Sequence, residues 1–532
     1  RNGEEMAALA HHFYQAGDPR AVPANRQAGD AAFDLHAGKE AATYYRRALE
    51  LARRHQHDDV ALLVYLYRRL GRSLELASQF SQALDLYADM KELGEELDDR
   101  QLALDAMLRQ ATVYATASDQ RDFEKAVAVV DQVLPLAREL GDKAAESKSH
   151  WLLLNVYRVS AKVGKAIEAG ETALAVAQAN NLTERAAFAA HDLTHAYMFA
   201  GRSREALASI TAAGKHWQEL NNLPMLADSL STASLLSGAS GELEQALEQA
   251  AEAERISVAI DNVWGQSYSL LFVGHIHWEQ GRPTQAMEIM ERCLALGEQA
   301  GFTVPKFQVG AQLTTVYIQL GHKERALSLA QEIEREIGQR ASFFEQLGLP
   351  YLAQTDLLMG NLNRAQERLA SIPILEDAAH SLLLYIVGPI RVEAALLADD
   401  HEAVIEEGAK LAETLVQMGW RMYVARVLGM LGEAYLAQGR LDEAAAALAE
   451  ARQEAEALGV EWQLWPVLAA QSALAQARGD RQEAQSLYRQ SRQLLTEIAE
   501  RAPTPESRAA LLNHPYWRWR FADLQELSEM SG

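Results

Sequence analysis

The sequence has a single cysteine, Cys293, in 532 residues. A lone thiol excludes an internal disulfide framework and any cysteine-rich zinc site, and it fits a reducing compartment. Prolines number only 13 and fall mostly at junctions such as "AVPAN", "NNLPM" and "RAPTPES". Runs of Val, Ile and Thr that would read as strands are nearly absent. No apolar stretch approaches the roughly 18 residues of a membrane span, and no signal peptide is visible. Positive charge is also scarce: 50 Lys and Arg against 73 Asp and Glu leave a formal charge of −23. Neutralising phosphates or docking on anionic lipid needs cationic side chains, so neither nucleic acid nor a membrane is expected as a partner. A cytoplasmic location is the expectation. The first residue is Arg, not Met, and the chain is expected to be a piece of a longer polypeptide.

What is present is helix-forming. Apolar residues make up 49% of the chain, and Ala, Leu, Glu, Gln and Arg dominate. One phrase, Y-x-x-x-G-x-x-x-x-A-L, recurs along the chain: "YMFAGRSREAL" (Tyr197, Gly201, Ala206), "YIQLGHKERAL" (Tyr317, Gly321, Ala326) and "YLAQGRLDEAA" (Tyr435, Gly439, Ala444). The small residue after the turn falls at Ala83, Ala126, Ala166, Ala206, Ala246, Ala286, Ala326, Ala365, Ala403, Ala444 and Ala484. Those steps are 43, 40, 40, 40, 40, 40, 39, 38, 41 and 40 residues, a regularity that marks a repeat architecture. With an earlier copy at Ala41, about twelve units run from residue 28 to 502.

Each unit reads as helix, Gly-containing turn, helix and polar linker. Glycine supplies the positive φ that ends the first helix. Alanine lets the second helix approach, and a bulky residue four positions later (Tyr45, Tyr87, Leu448, Tyr488) is expected to fill space toward the next repeat. Leu70-Gly71 and Leu431-Gly432 are expected to mark a tight crossing in the first helix.

These positions resemble the tetratricopeptide repeat, whose pattern places Gly, Tyr, Gly, Ala, aromatic and Ala at such offsets. The period is about 40 residues instead of 34, which implies longer helices and a wider superhelix. The stretched period is similar to that of the sensor arms of STAND-class signal-transduction ATPases, including the maltose-responsive bacterial activators. "LAHHFYQAGDP" (9–19) with "AGDAAFDLHAGKEAATYYRRALELA" (28–52) resembles the segment joining a winged-helix module to such an arm. "SRAALLNHPYWRWRFADL" (507–524) resembles the helix that closes one, with Trp517 and Phe521 covering the last repeat. The expected fold is an all-α, right-handed α-solenoid, with junction helices over 1–27, the solenoid over 28–502 and a capping helix over 503–532.

No G-x-x-x-x-G-K-[ST] and no G-x-S-x-G occurs, so neither an ATPase engine nor a hydrolase elbow lies in this chain. No enzyme activity and no cofactor are expected. Cys293, seven residues after Ala286, reads as a buried core thiol. With Ala206 as position 20 of its repeat, His191 and His195 take positions 5 and 9. Those positions face the concave side of a tetratricopeptide superhelix, as do 2, 12 and 13. Two histidines without a third ligand make a weak zinc site, and groove lining or ligand contact is the better reading. The same positions present Trp151, Asn155 and Arg158, then Met198, and two repeats on Tyr268, His275 and Trp278, around the small Ser231 and Gly238. That lining is similar to a ligand pocket. Arg68 and Arg72 could grip an acidic partner, or pair with nearby acids such as Glu50 and Asp85.

The resemblance implies a sensor and autoinhibition arm. Its inducer would be a small molecule, peptide or protein, and it would control an ATPase and winged-helix module upstream in the same polypeptide. The alternative is a constitutive scaffold that assembles proteins and senses nothing.

Overall fold

The computed structural model describes residues 2–35, 37–55, 59–116, 118–338, 347–372 and 380–516. Among them every regular element is a helix, and none is long and apolar enough to cross a membrane. Helices pair into successive hairpins, from Ala21–Asp34 with Gly38–His55 to Glu461–Ala477 with Arg481–Glu500. The fold is an all-α helical-repeat solenoid. Trp517 and Phe521 lie outside the described residues.

The period has a simple origin. Lys143–Val159, Val163–Ala179, Ser203–Glu219, Leu223–Ala239 and Leu243–Ala259 are each 17 residues long. Three residues separate each helix from the next, so a helix and its turn take 20 residues and a hairpin takes 40. The expected polar linkers are as tight as the turns inside the hairpins. Both kinds of turn use a left-handed residue, as at Gly241 (φ 89°) inside a hairpin and Asn221 (φ 51°) between hairpins. The following residue often caps the next helix: Asp99, Asp142, Asn222, Asn262, Asp400 and Asp480 each accept a backbone N–H three positions on.

Three local expectations change. The slot assigned to Ala403 is filled by Val404, which is fully buried and whose N–H bonds Asp400 O, as Ala444 N–H bonds Arg440 O. The steps around it become 39 and 40. The bulky residue four positions after the small one packs inside its own hairpin, not toward the next. A β-carbon at Gly29 would lie 2.8 Å from the Tyr45 ring, and one at Gly71 or Gly432 would fall inside Tyr87 or Leu448. The Leu-Gly crossings are therefore holes in one helix filled by the bulky side chain of its partner. The third change concerns the wider superhelix, and it appears in the second of two compact units.

The chain divides into Arg1–Asp192 and Leu193–Gly532. In the first unit, Tyr45, Ala48, Leu63, Tyr67, Tyr87, Met90 and Leu102 belong to one core that runs across neighbouring hairpins. In the second, the solenoid winds back against itself about five repeats on, so it is tighter than expected. A β-carbon at Gly201 would meet Met418, one at Gly241 would meet Leu458, and one at Gly281 would meet Ile498 and Glu461. Polar contacts repeat the pattern: Ser203 Oγ donates to Met418 O, Met422 N–H to Ala239 O at 3.1 Å, and Thr284 Oγ1 to Arg501 O at 2.6 Å. Each turn inside an early hairpin thus seats on the turn that follows a hairpin five repeats later. The concave side of this unit is a closed lumen instead of an open groove.

Gly94 and Gly164 separate close packing from backbone entropy. A β-carbon at Gly94 would lie 2.7 Å from the Ala103 nitrogen, while one at Gly164 meets nothing within 4 Å. Gly94→Ala is expected to lower unfolding free energy by about 1–3 kcal/mol. Gly164→Ala is expected to be neutral or to add up to about 1 kcal/mol. Urea unfolding of both variants checks the pair.

Candidate functional site

The lumen of the second unit is lined by the first helices of six consecutive hairpins. Val273–Glu279 supplies His275, Trp278 and Glu279; Ala311–Gln319 supplies Gln312, Thr315 and Gln319; Gly348–Leu358 supplies Tyr351 and Gln354. Glu393 comes from His380–Leu397, Arg426 and Glu433 from Val424–Ala437, and Trp462, Gln463 and Trp465 from Glu461–Ala477. The cavity between them leaves about 80 Å³ for the centres of water-sized molecules.

Two of these helices are irregular near the cavity. The run from Val263 to Glu279 breaks at Leu270–Phe272, and a π-helical turn at Lys306–Gly310 precedes Ala311–Gln319. Such interruptions re-aim the side chains that follow them and are frequent at functional sites.

A hydrogen-bond network holds the lining. Gln463 is its clamp: Nε2 donates to Glu279 Oε2 at 2.9 Å and to Met422 O at 2.8 Å, while Oε1 accepts from Arg426 N–H at 3.0 Å. Gln312 Nε2 faces His275 Nδ1, and His275 Nε2 lies 2.9 Å from the Tyr423 hydroxyl. With Nδ1 accepting from the amide, Nε2 carries the proton and donates to Tyr423. Arg426 donates to Glu393, which also accepts from the Tyr516 hydroxyl. Trp278 and Trp462 pack with ring centroids 4.6 Å apart. Gln319 is 3% exposed, its Nε2 donates to Thr315 O, and its Oε1 has no hydrogen-bond partner among the described residues.

Burial sets the protonation states. It holds His275 down to about 3, helped by the Arg426 charge, so the imidazole is neutral and its 3.9 Å approach to Glu279 is not an ion pair. Burial pushes Glu279 up to about 7, against the opposing pull of Gln463 and Arg426. The same desolvation lifts Tyr351 to about 12 and raises Tyr423 well above its ordinary value. Arg426 loses solvation too, but Glu393 and then Glu279 outweigh that loss and keep the guanidinium charged. The result is a desolvated, aromatic chamber in which one carboxyl gains or loses a proton near neutrality.

Of the residues singled out from sequence, His275 and Trp278 line this cavity, and both are buried. Tyr268 lies outside its lining, bonded to Thr232 and packed on Trp264 and Phe302. In the first unit, Trp151 Nε1 and Asn155 Nδ2 donate to Asp192 Oδ2 at 2.6 and 3.0 Å, and Arg158 donates to Asn155 Oδ1. His191, Asp192 and His195 share one turn of Thr183–Phe199, and one ligand atom from each comes within 4.8 Å of the others. Met198 is buried. Arg68 pairs with Asp105 and Arg72 with Glu75, not with Glu50 or Asp85, and both stay about half exposed. Cys293 is fully buried, with its thiol pushed up to about 12 by burial.

Several of the lining residues that sequence reading passed over obey the register it had set, while Gln312 and Tyr351 at position 6 and Trp465 at position 1 do not. Counting from the same alanines, Thr315, Gln354 and Glu433 take position 9, Gln319 position 13 and Arg426 position 2. Extending the count into later repeats finds them. Tyr423 and Gln463 share a position two residues before position 1, outside the concave register that was used.

The model of the tetratricopeptide repeat family matches residues 267–297 and 425–451, which include lining residues of the cavity. No curated protein matches the chain. Among solved structures, the chain is similar to the apo form of RapI at 12% identity, covering 65% of this chain and 95% of that one with a TM-score of 0.50. It is also similar to a Signal Transduction ATPase with Numerous Domains (STAND) protein with a tetratricopeptide repeat sensor, from Pyrococcus horikoshii. That match has 16% identity, 62% coverage of this chain and a TM-score of 0.43. The chain spans about half of that protein's structure, 52%. The Cut9-Hcn1 hetero-tetramer of APC/C matches at 14% identity over 97% of this chain and 96% of that one, with a TM-score of 0.46. At these identities the likeness concerns the fold.

The raised Glu279 carboxyl has a measurable consequence. A carboxyl whose folded pKa lies above its unfolded value takes up protons on folding, so it stabilises the fold as pH falls from 7 toward 4.5. His275 acts oppositely, costing stability as pH falls below its ordinary value of 6.5. Comparing wild type with Glu279→Gln isolates the first effect. Between pH 7.5 and 5, wild type is expected to gain about 2 kcal/mol relative to the variant, read from urea unfolding at each pH.

Proposed function

We propose that the chain is the sensor arm of a STAND-class signal-transduction ATPase, of the kind found in the maltose-responsive activators, and that a small-molecule inducer binds in the lumen of Leu193–Gly532. The observation that carries this reading is the cavity itself. It is lined by Trp, Gln, Glu and Arg side chains and assembled from helices nearly 200 residues apart in sequence, as the 184-residue span of the Glu279–Gln463 bond records. The 40-residue period and the resemblance of residues 9–52 and 507–524 to the two ends of such arms support the parent class.

A ligand shifts an equilibrium only by binding one arrangement better than another. A molecule that touches both Trp278 and Trp462, which meet from two different windings, favours the closed winding over an opened one. That difference is what would reach an ATPase and winged-helix module preceding the chain, releasing autoinhibition and permitting oligomerisation. In this reading residues 1–27 are the junction, 28–502 the sensing solenoid and 503–532 its cap. The inducer contacts include His275 and Trp278. Trp151, Asn155, Arg158, His191, His195, Met198 and Tyr268 line the concave face elsewhere, and Arg68 and Arg72 offer half-exposed guanidinium groups to an acidic partner surface.

A thermal-shift screen of the full chain against sugars, nucleotides, amines and short peptides tests the proposal. At least one small molecule is expected to raise the melting temperature, because ligand at about 100 times its Kd adds about 2.7 kcal/mol. Gln354→Ala, at a half-buried lining position, is expected to reduce that shift while the ligand-free melt moves little. A screen without any hit, alongside one protein that copurifies without ligand, would establish the scaffold instead.

A further inference from the structure

We propose that the concave face of the first unit carries an oxyanion site, in which Lys148 and Arg185 hold a phosphate group, either free or on a small ester. The site lies wholly within Arg1–Asp192 and does not depend on the lumen reading. It starts from a ladder of side chains. First helices of successive hairpins pair residues at an offset of 37: Arg68 donates to Asp105 at 2.7 Å, and Asn155 to Asp192 at 3.0 Å. Trp151 packs on Phe188 at the same offset, with ring centroids 6.1 Å apart. One turn before that pair, the offset joins Lys148 to Arg185. The other rungs unite base with acid, amide with carboxylate, or ring with ring. This one sets two cations side by side.

The second observation is the missing counter-charge. Neither the Lys148 ammonium nor the Arg185 guanidinium has a hydrogen bond or an ion pair among the described residues. The carboxylates that act on Lys148 are already matched. Asp105 lies between Arg68 and Arg109, at 2.7 and 3.0 Å, and Glu75 accepts from Arg72 and from the Tyr87 hydroxyl. Lys148 and Arg185 are both half-buried, so the rung is partly withdrawn from water and still within reach of a small ion. The whole chain carries a formal charge of −23, yet here positive charge is left over.

The electrostatics agree with the geometry. Burial, then the charges of Arg185 and Arg109, bring Lys148 down to about 8 against the opposing pull of Glu75 and Asp105. An oxyanion between the two cations replaces that repulsion with attraction. Phosphate suits the pair: a guanidinium offers two parallel N–H donors to its oxygens, and an ammonium adds a compact charge. Two unmatched cations also favour a dianion over a monoanion. Bound anion keeps Lys148 charged, so binding takes up a proton near pH 8 and weakens as pH rises from 7 to 9. The charged groups around the ammonium are Arg185, Arg109, Glu75 and Asp105, and burial keeps the neighbouring Tyr87 hydroxyl neutral over that range.

Calorimetric titration of the full chain with inorganic phosphate, glycerol 3-phosphate and sulfate tests the site. Glycerol, sodium acetate and sodium chloride at equal ionic strength are the comparisons. Phosphate or its ester is expected to bind saturably and at least about tenfold more tightly than acetate, and the tighter of the two identifies the source of the group. Sulfate, whose charge is constant over pH 7–9, is expected to bind more weakly toward pH 9. Lys148→Met keeps the apolar stem; it is expected to weaken phosphate about tenfold, to remove the pH dependence of sulfate, and to melt no lower than wild type without ligand. Arg185→Gln is expected to weaken phosphate about tenfold as well, with Arg185→Lys recovering part of the loss. A phosphate response no larger than that of sodium chloride, acetate binding as tightly as phosphate, or phosphate binding unchanged in Lys148→Met would overturn the assignment.

Discussion

The second unit depends on a contact made at glycines. At Gly201, Gly241 and Gly281 the chain turns with positive φ and carries no β-carbon, and onto those turns settle Met418, Leu458 and Ile498. The partners rise in steps of 40, as the glycines do. One spacing therefore serves two purposes: it sets the rise of each hairpin and guarantees that every seat meets an equivalent partner. A side chain at the seat would hold the windings apart, and the lumen between them would open to water.

Closing the lumen changes its chemistry. In an open groove, His275 and Glu279 would titrate near their ordinary values, and Arg426 would be one more solvated cation. Enclosure removes that water, so His275 becomes neutral, Glu279 titrates near 7 and Arg426 is held charged by Glu393 and Glu279. Gln463 then bonds Glu279, Met422 O and Arg426 N–H at once. Its amide joins distant windings with buried hydrogen bonds, so the lining of the cavity and the closure of the windings are held by the same side chain.

The repeat was legible because its signals are local. Gly at the turn, Ala five residues on and a bulky residue four further report contacts inside one 40-residue unit, and Tyr87 against Gly71 is such a contact. Val404 escaped because a valine fills the slot where alanine was sought, and Ala403 stood beside it. The concave register also held within the second unit, where it placed His275 and Trp278 in the lumen. The closure was not legible. It results from small rotations added over five repeats, and no single residue encodes their sum. Burial of the lumen residues followed from closure, so it was hidden too, and Gln463, like Tyr423, precedes the positions counted as concave.

The unit's windings carry different burdens. Interiors of hairpins are packed by Leu, Ala and aromatic side chains and owe their stability to apolar burial. The seam between windings is thinner, a row of side chains and a few backbone bonds, and it is the place where opening costs least. Amide hydrogen exchange reads that seam at one atom. Met422 N–H bonds Ala239 O, a carbonyl five repeats earlier, and the residue is fully buried. With the windings closed in solution, the Met422 amide exchanges as slowly as the core helix amides of Val424–Ala437. Exchange near the rate of an open turn, with those helix amides still protected, would contradict the closed lumen on which the site depends.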